Sequence, residues 1–272
     1  MEHTDPLAST GGQEQMEPAP LKSNRKQALV ITSFGTSVPE ARISITAVEE
    51  VLTAAAQGYI CVRAYTSPTI RRILKSRGEN VPSLTEALEY LAAEDVQQVV
   101  VQPTHLLYGY EYDKLKAEAE AIADRFATLT VGRPLLSDNE DIQCFARNLS
   151  QDHPVEDGAV TIFMGHGTEH FANAAYPALQ TALHLLDRKD LFVGTVEGWP
   201  GLDDILRQLE PSRKIYLLPL MLVAGDHARN DMAGDWKSRL ENAGHTVICS
   251  FTGMGQLSWV QEMYRERLVK LL

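Results

Sequence analysis

Two histidines sit where chemistry is easiest to arrange. His166 lies in Met164-Gly-His-Gly-Thr168 and His227 in Leu222-Val-Ala-Gly-Asp-His-Ala-Arg-Asn-Asp231. An imidazole titrates near neutrality and ligates divalent transition ions, so such residues move protons, hold metal, or both. Glycine on both sides of His166 permits unusual backbone angles and the close approach of a ligand. The plainer reading is a histidine satisfied in a strand-end turn that Thr168 caps. Around His227, Asp226, Asn230 and Asp231 can cap a following helix or accept the imidazole N–H and fix its tautomer. A solvated cap explains Asp231 but leaves the histidine without a role. Glu197, in Thr195-Val-Glu-Gly-Trp-Pro200, is either a third donor or a surface acid in a turn. Two histidines and a carboxylate at neighbouring strand mouths suit a divalent ion held at an open site. Glu111, in Tyr108-Gly-Tyr-Glu-Tyr-Asp113, can act as a base or simply favour its helix N-terminus. His105, just upstream, reads as a solvated loop histidine or a surface ligand at a subunit contact. The GxGxxG, GxxxxGK[ST] and HExxH patterns are absent, and the GHGT turn has no serine nucleophile.

The elements that must position these residues alternate between strand and helix. Apolar runs predict strands at 28–34, 59–65, 96–102 and 129–131, then at 159–164, 191–196, 214–219 and 246–249. Helical spacing predicts helices at 38–57, 69–76, 84–93, 111–126 and 138–149, then at 171–186, 202–209, 231–242 and 256–272. This alternation implies an α/β fold of two similar doubly wound parallel-sheet (Rossmann-like) domains facing a central cleft. Ligands of such folds bind beyond the carboxyl ends of the strands. An offset of 132 residues lays Ala28 on Val160, Phe34 on His166 and Pro68 on Pro200. An offset of 116 lays Pro103 on Pro219 and Glu111 on His227. A duplicated pair of domains would aim Phe34, Glu111, His166 and His227 into one cleft. The expected boundaries are a disordered tail at 1–26, an N-terminal domain at 27–152 and a C-terminal domain at 153–255. A final helix at 256–272 would pack back on the first domain.

Composition narrows the class. The 272 residues carry 36 acidic against 25 basic side chains, a formal net charge of −11. That balance disfavours nucleic-acid and anionic-membrane partners. Residues 1–26 lack the apolar core of a secretory signal, and no run of about 18 apolar residues occurs, so no membrane span is expected. Cys61, Cys144 and Cys249 are an odd, scattered set that fits a reducing, cytoplasmic location rather than a disulfide framework.

Five segments in order then carry a family resemblance: Phe34-Gly-Thr-Ser37, the stretch from His105 to Asp113, Gly165-His-Gly-Thr168, Val196-Glu-Gly-Trp-Pro200 and the stretch from Pro219 to Met232. From about Lys26 to the C-terminus the sequence resembles the anaerobic cobalt chelatase (CbiK) family of class II chelatases. The resemblance implies the two-domain chelatase fold shared with ferrochelatase. It implies a lyase of cobalamin biosynthesis that inserts Co²⁺ into sirohydrochlorin, a metal-free tetrapyrrole, without ATP. Cobalt would be the substrate metal, with Fe²⁺ an alternative, and no organic cofactor is expected. The family's active-site histidines fall on His166 and His227 and its cleft glutamate on Glu111, with Glu197 a further metal ligand. Phe34, Gly167, Thr168 and Trp199 are the expected substrate contacts. The substrate's carboxylates call for a basic rim, for which Arg42, Arg63, Arg71 and Arg229 are unranked candidates. The histidine-rich segment and cysteine cluster of some related chelatases are missing, so neither metal storage nor an iron–sulfur centre is expected. Two other readings stay open: a sirohydrochlorin ferrochelatase for sirohaem using the same residues, and a tetrapyrrole or metal carrier without turnover. A homo-oligomer is left open.

Overall fold

A run such as Ala28-Leu-Val-Ile-Thr-Ser33 shows no polar alternation because it is covered on both faces, as central parallel strands are. In the computed structural model, which describes residues 27–272 apart from 155 and 157, that run is β1 (Gln27–Ser33). It lies between β2 (Ile60–Tyr65) and β3 (Gln98–Pro103), with β4 (Thr128–Val131) beyond, giving the order β2-β1-β3-β4. The second sheet repeats the plan. β5 (Ala159–Gly165) lies between β6 (Leu191–Thr195) and β7 (Lys214–Pro219), followed by β8 (Thr246–Cys249). Every strand pair is parallel. The expected tail at 1–26 lies outside the described residues. Among those described, no helix is long and apolar enough to cross a membrane.

Ladder register tests the duplication residue by residue. Gln27 faces Gln98 and Ala159 faces Lys214, so the offsets of 132 and 116 hold for β1 on β5 and for β3 on β7. The second strands differ. Ser33 faces Tyr65 while Gly165 faces Thr195, which sets β2 on β6 at 130 rather than 132. Pro68 therefore lies three residues beyond Tyr65, whereas Pro200 lies five beyond Thr195. The prolines coincide at 132 only because the loop after β6 is two residues longer, and that loop carries Glu197.

The helices are α1 (Ile43–Ala55), α2 (Pro68–Ser76), α3 (Leu84–Ala93), α4 (Tyr110–Glu120) and α5 (Asn139–Asp152) in the first half. In the second half come α6 (Ala175–Leu185), α7 (Leu202–Leu206), α8 (Lys237–Asn242) and α9 (Ser258–Val269). Ser83 with Glu86, and Asp138 with Asp141, form reciprocal capping boxes that start α3 and α5 where the pattern predicts them. The helix expected at 38–57 is instead a 3₁₀ turn at Glu40–Arg42 followed by α1. The one expected at 231–242 begins earlier, as a π-helical stretch Ala228–Trp236 running into α8. A single 3.6-residue period cannot register such a widened turn.

One core cluster joins the two sheets. Leu29 and Ile31 of β1, Val48 and Leu52 of α1, Phe145 and Leu149 of α5, Leu179 and Leu183 of α6, and Phe163 of β5 all belong to it. α9 adds Val260, Tyr264 and Leu268, spaced four apart and fully buried. Each such side chain stabilises by about 1.5–3 kcal/mol. The Tyr264 hydroxyl donates to the Thr104 carbonyl at 2.7 Å, and Arg267 donates to the carbonyls of Pro134 and Leu135. The C-terminal helix thus leaves the second sheet and lies on the first half.

Arg63, on edge strand β2, takes no part in a cleft rim. Its guanidinium forks onto Glu49 of α1, which is 3 % exposed, with Nε 2.7 Å from one carboxylate oxygen. A carboxylate buried in α1 needs that partner, so Arg63 is held inside.

Candidate functional site

The loops after β5 and β6 touch backbone to backbone, and the glycines make this contact feasible. Gly167 has φ +82°, and a Cβ built there would stand 2.6 Å from the Gly198 nitrogen; one built on Gly165 would stand 2.3 Å from the Tyr176 ring. The amides of Val196 and Glu197 donate to the carbonyls of Gly165 and His166 at 3.1 and 2.8 Å. Asn173 ties the same loops together: its Oδ1 accepts from the Thr168 amide at 3.1 Å and its Nδ2 donates to the Trp199 carbonyl at 2.6 Å. His166 and Glu197 are thereby fixed side by side, with Nε2 3.9 Å from Oε2. Thr168 and Gly167, two of the expected substrate contacts, also hold these loops together. The Thr168 hydroxyl accepts from the His170 amide at 3.1 Å, and Gly167 is buried beneath Gly198.

His227 comes from the loop after β7, where the π-helical stretch begins. Its ring lies 4.5 Å from that of His166, at 86°. The proton positions follow from the partners. His166 Nδ1 is 2.8 Å from the Gly167 carbonyl, which can only accept, and His227 Nδ1 is 2.7 Å from Asp231 Oδ2. In their neutral forms both imidazoles therefore carry hydrogen on Nδ1 and leave the Nε2 lone pair free, the arrangement that orients histidine toward a metal. Of the three acceptors weighed around His227, Asp231 is the one used. The two side chains are 43 % and 41 % exposed, so a ligand can reach them. Among the described residues, no three His, Cys, Asp or Glu groups already close on one point.

The first half offers different groups at matching places. Phe34, half-exposed, stands where the second half has His166, and Gly35, like Gly167, has a positive φ of +94°. Glu111 lies in the first turn of α4, and its Oε2 is buried without a hydrogen-bond partner. A buried carboxylate oxygen with no partner is open to a proton or an N–H donor. Trp199 is exposed beside Asn173. Of the basic candidates, Arg42 pairs with Glu79 at 2.6 Å and Arg71 with Glu86 at 3.0 Å. Arg229 is half-exposed and reaches Glu40 of the other half at 3.2 Å.

Sequence reasoning missed a second link between the halves. His170 Nε2 lies 3.3 Å from Asp113 Oδ2, His170 Nδ1 accepts from the Ala172 amide at 3.1 Å, and the Tyr110 ring meets the imidazole edge-on at 5.0 Å. The only local signal was a histidine two residues after Thr168, just ahead of a helix. The partner acid is 57 residues away in the chain and gives no pattern.

His105 is partly buried, and its ring nitrogens do not meet solvent. Both ring nitrogens are buried and unpartnered, and burial pushes its pKa down from 6.5 to about 4. The unfolded chain binds this proton more tightly than the folded one. Stability is therefore whole above about pH 6.5 and is lost as pH falls from there through about 4, by about 3 kcal/mol in all. His105→Phe is expected to remove that acid sensitivity. Urea unfolding at pH 7 and pH 4.5 measures it, and equal losses in variant and parent would contradict the assignment.

Comparison with known proteins agrees with this architecture. The sequence matches the cobalt chelatase (CbiK) family over residues 27–272. A sirohydrochlorin cobaltochelatase of Salmonella typhimurium is 37% identical over 258 residues, 91% of this chain and 97% of that one. The sirohydrochlorin cobaltochelatase CbiKC of Nitratidesulfovibrio vulgaris is 31% identical over 269 residues, 95% of each. In structure, SirB from Bacillus subtilis with Fe³⁺ superposes with a TM-score of 0.63 at 15% identity, covering 89% of this chain and 94% of that one. CbiX, a terminal enzyme of sirohaem biosynthesis in denitrifying bacteria, gives 0.55 at 17% identity over 90% and 99%. These two share the fold.

Proposed function

Since the chain belongs to the cobalt chelatase (CbiK) family, we propose that it inserts Co²⁺ into sirohydrochlorin without ATP, with His166, His227 and Glu197 holding the ion. The observation that carries the reading is the pair of imidazoles, 4.5 Å apart, whose Nδ1 atoms are tied to Gly167 and Asp231 so that both Nε2 atoms are free. The metal is a substrate here, so the site must bind it and then release it. Two neutral imidazoles and one mobile carboxylate bind a divalent ion less tightly than four nitrogens of a macrocycle, and transfer runs downhill.

Insertion forms four cobalt–nitrogen bonds and releases two pyrrolic protons. Glu111, on the opposite half, has a buried oxygen free to accept one. The second leaves through solvent or a histidine that the metal has vacated. Phe34, after β1, and Trp199, two residues beyond Glu197, are exposed and supply apolar faces for the ring. Arg229 is the basic candidate best placed for a peripheral carboxylate. It stands two residues from His227, and its exposed tie to Glu40 can be exchanged for a substrate carboxylate.

The donor set admits Fe²⁺ as well as Co²⁺, because imidazole and carboxylate bind both. Anaerobic metallation followed by absorbance, with Co²⁺, Fe²⁺ and Ni²⁺ in parallel, separates the readings. Fastest turnover with cobalt supports the proposal, and fastest turnover with iron makes the enzyme a ferrochelatase. Stoichiometric binding of tetrapyrrole or metal with no turnover makes it a carrier.

A further inference from the structure

Resting on the chelatase reading, we propose that His170 is a positioning residue whose bridge to Asp113 sets the distance between Glu111 and the metal-holding imidazoles. The reaction needs a metal donor on one face of the macrocycle and a proton acceptor on the other. Here the two belong to different halves: His166 and His227 follow β5 and β7, while Glu111 opens α4 after β3. Whatever fixes the spacing of the halves at the strand ends therefore fixes the reacting groups relative to each other. Beside the apolar packing of Leu222 and Val223 against Ile45, Tyr65 and Leu74, two side-chain ion pairs link the strand-end segments of the two halves among the described residues. Arg229 to Glu40 is exposed at both ends, at 51 % and 75 %. An exposed pair of this kind holds position weakly.

The His170 link is built differently. Its side chain is 11 % exposed, with Nδ1 bonded to the Ala172 amide and Nε2 lying 3.3 Å from the Asp113 carboxylate. Nδ1 accepts from the Ala172 amide, so the proton sits on Nε2, the ring nitrogen 3.3 Å from Asp113 Oδ2. The ring is held between Tyr110 at 5.0 Å and Phe171 at 4.3 Å. Asp113 lies in the same first turn of α4 as Glu111, and its own amide is bonded to the Gly109 carbonyl. Holding Asp113 thus holds the turn from which the Glu111 carboxylate projects. On the other side, the loop bearing His170 is stitched through Thr168 and Asn173 to the loop of Glu197. The bridge joins two pre-ordered turns, which is what a spacing device requires.

The test compares His170→Ala, His170→Asn, Asp113→Ala and the His170→Ala/Asp113→Ala double variant with the parent enzyme. Insertion of Co²⁺ into sirohydrochlorin, Co²⁺ binding by calorimetry without tetrapyrrole, and amide exchange over residues 110–113 are measured. Either single loss of the bridge is expected to lower kcat about 10- to 100-fold, with the double variant no worse than the singles. Co²⁺ affinity should stay within about twofold of the parent, and asparagine, which can accept from Ala172 and donate to Asp113, should recover part of the rate. Amide exchange over 110–113 should quicken by about tenfold. Unchanged kcat in His170→Ala, losses that multiply in the double variant, or a matching fall in Co²⁺ affinity would each overturn the proposal. Asp113 is exposed, so Asp113→Ala carries the test should His170→Ala fold poorly. The exchange measurement does not depend on turnover. A parent enzyme that inserts no cobalt defeats the chelatase reading, while unchanged exchange in the variants defeats the bridge.

Discussion

Replacing His166 and His227 together with alanine is expected to lower cobalt insertion by about 1,000-fold or more, and either alone by about 100-fold, which corresponds to about 4 and 3 kcal/mol. The size follows from the site's openness. No third donor already closes on the two imidazoles, so removing one leaves the ion with a single nitrogen and a carboxylate that must move to reach it. Folding should scarcely change. Both rings are more than a third exposed, and their Nδ1 partners, the Gly167 carbonyl and Asp231, can turn to water. Anaerobic absorbance assays on variants matched by thermal melting would decide the matter, and near-parental rates in a folded double variant would sink the metal assignment. Asp231→Asn offers a finer test. The amide can present either a donor or an acceptor to Nδ1, so the tautomer is no longer enforced, and Co²⁺ affinity should fall about tenfold with the histidines in place.

How far the site could be read before its geometry was known depended on whether a residue carried its own local pattern. His166 between glycines and Glu197 before Gly198-Trp199 announce strand-end turns, and the structure places both there. The duplication was legible as a periodicity in Gly, Thr and Pro, and the ladder registers reproduce its two offsets. The two-residue insertion after β6 was not legible, because the prolines on either side of the comparison remain aligned at 132 while the strand beneath them slips. Contacts between remote segments left no trace. Asp113 and His170 are ordinary polar residues in their own stretches, and only the facing of two sheets brings them together. His105 was misread for a related reason. A loop histidine is usually solvated, but this loop is covered where Tyr264 of the C-terminal helix bonds the Thr104 and His105 carbonyls. That helix returns from the far end of the chain, and no local window contains it.

The same distinction between local pattern and remote contact governs the largest expected effect on stability. Gly167→Ala is expected to destabilise the fold by about 4 kcal/mol and to depress insertion with it. A non-glycine residue in the left-handed region costs about 1–2 kcal/mol. At φ +82°, the new Cβ would also stand 2.6 Å from the Gly198 nitrogen and 2.9 Å from both the Glu197 carbonyl carbon and Thr195 Cβ. Two of those three atoms are backbone, and no rotamer change relieves them. The loops must separate, loosening the amide bonds from Val196 and Glu197 to Gly165 and His166, each worth about 1 kcal/mol. For a chain of this size the sum lowers the melting midpoint by about 10 °C. The activity falls separately, because the separation carries Glu197 away from His166. Gly225→Ala is the matched control. It lies two residues before His227, has no heavy atom within 4 Å of its would-be Cβ, and should melt within about 2 °C of the parent. If Gly167→Ala melts like Gly225→Ala and inserts cobalt at the parental rate, the backbone contact between the loops after β5 and β6 does not hold the site together.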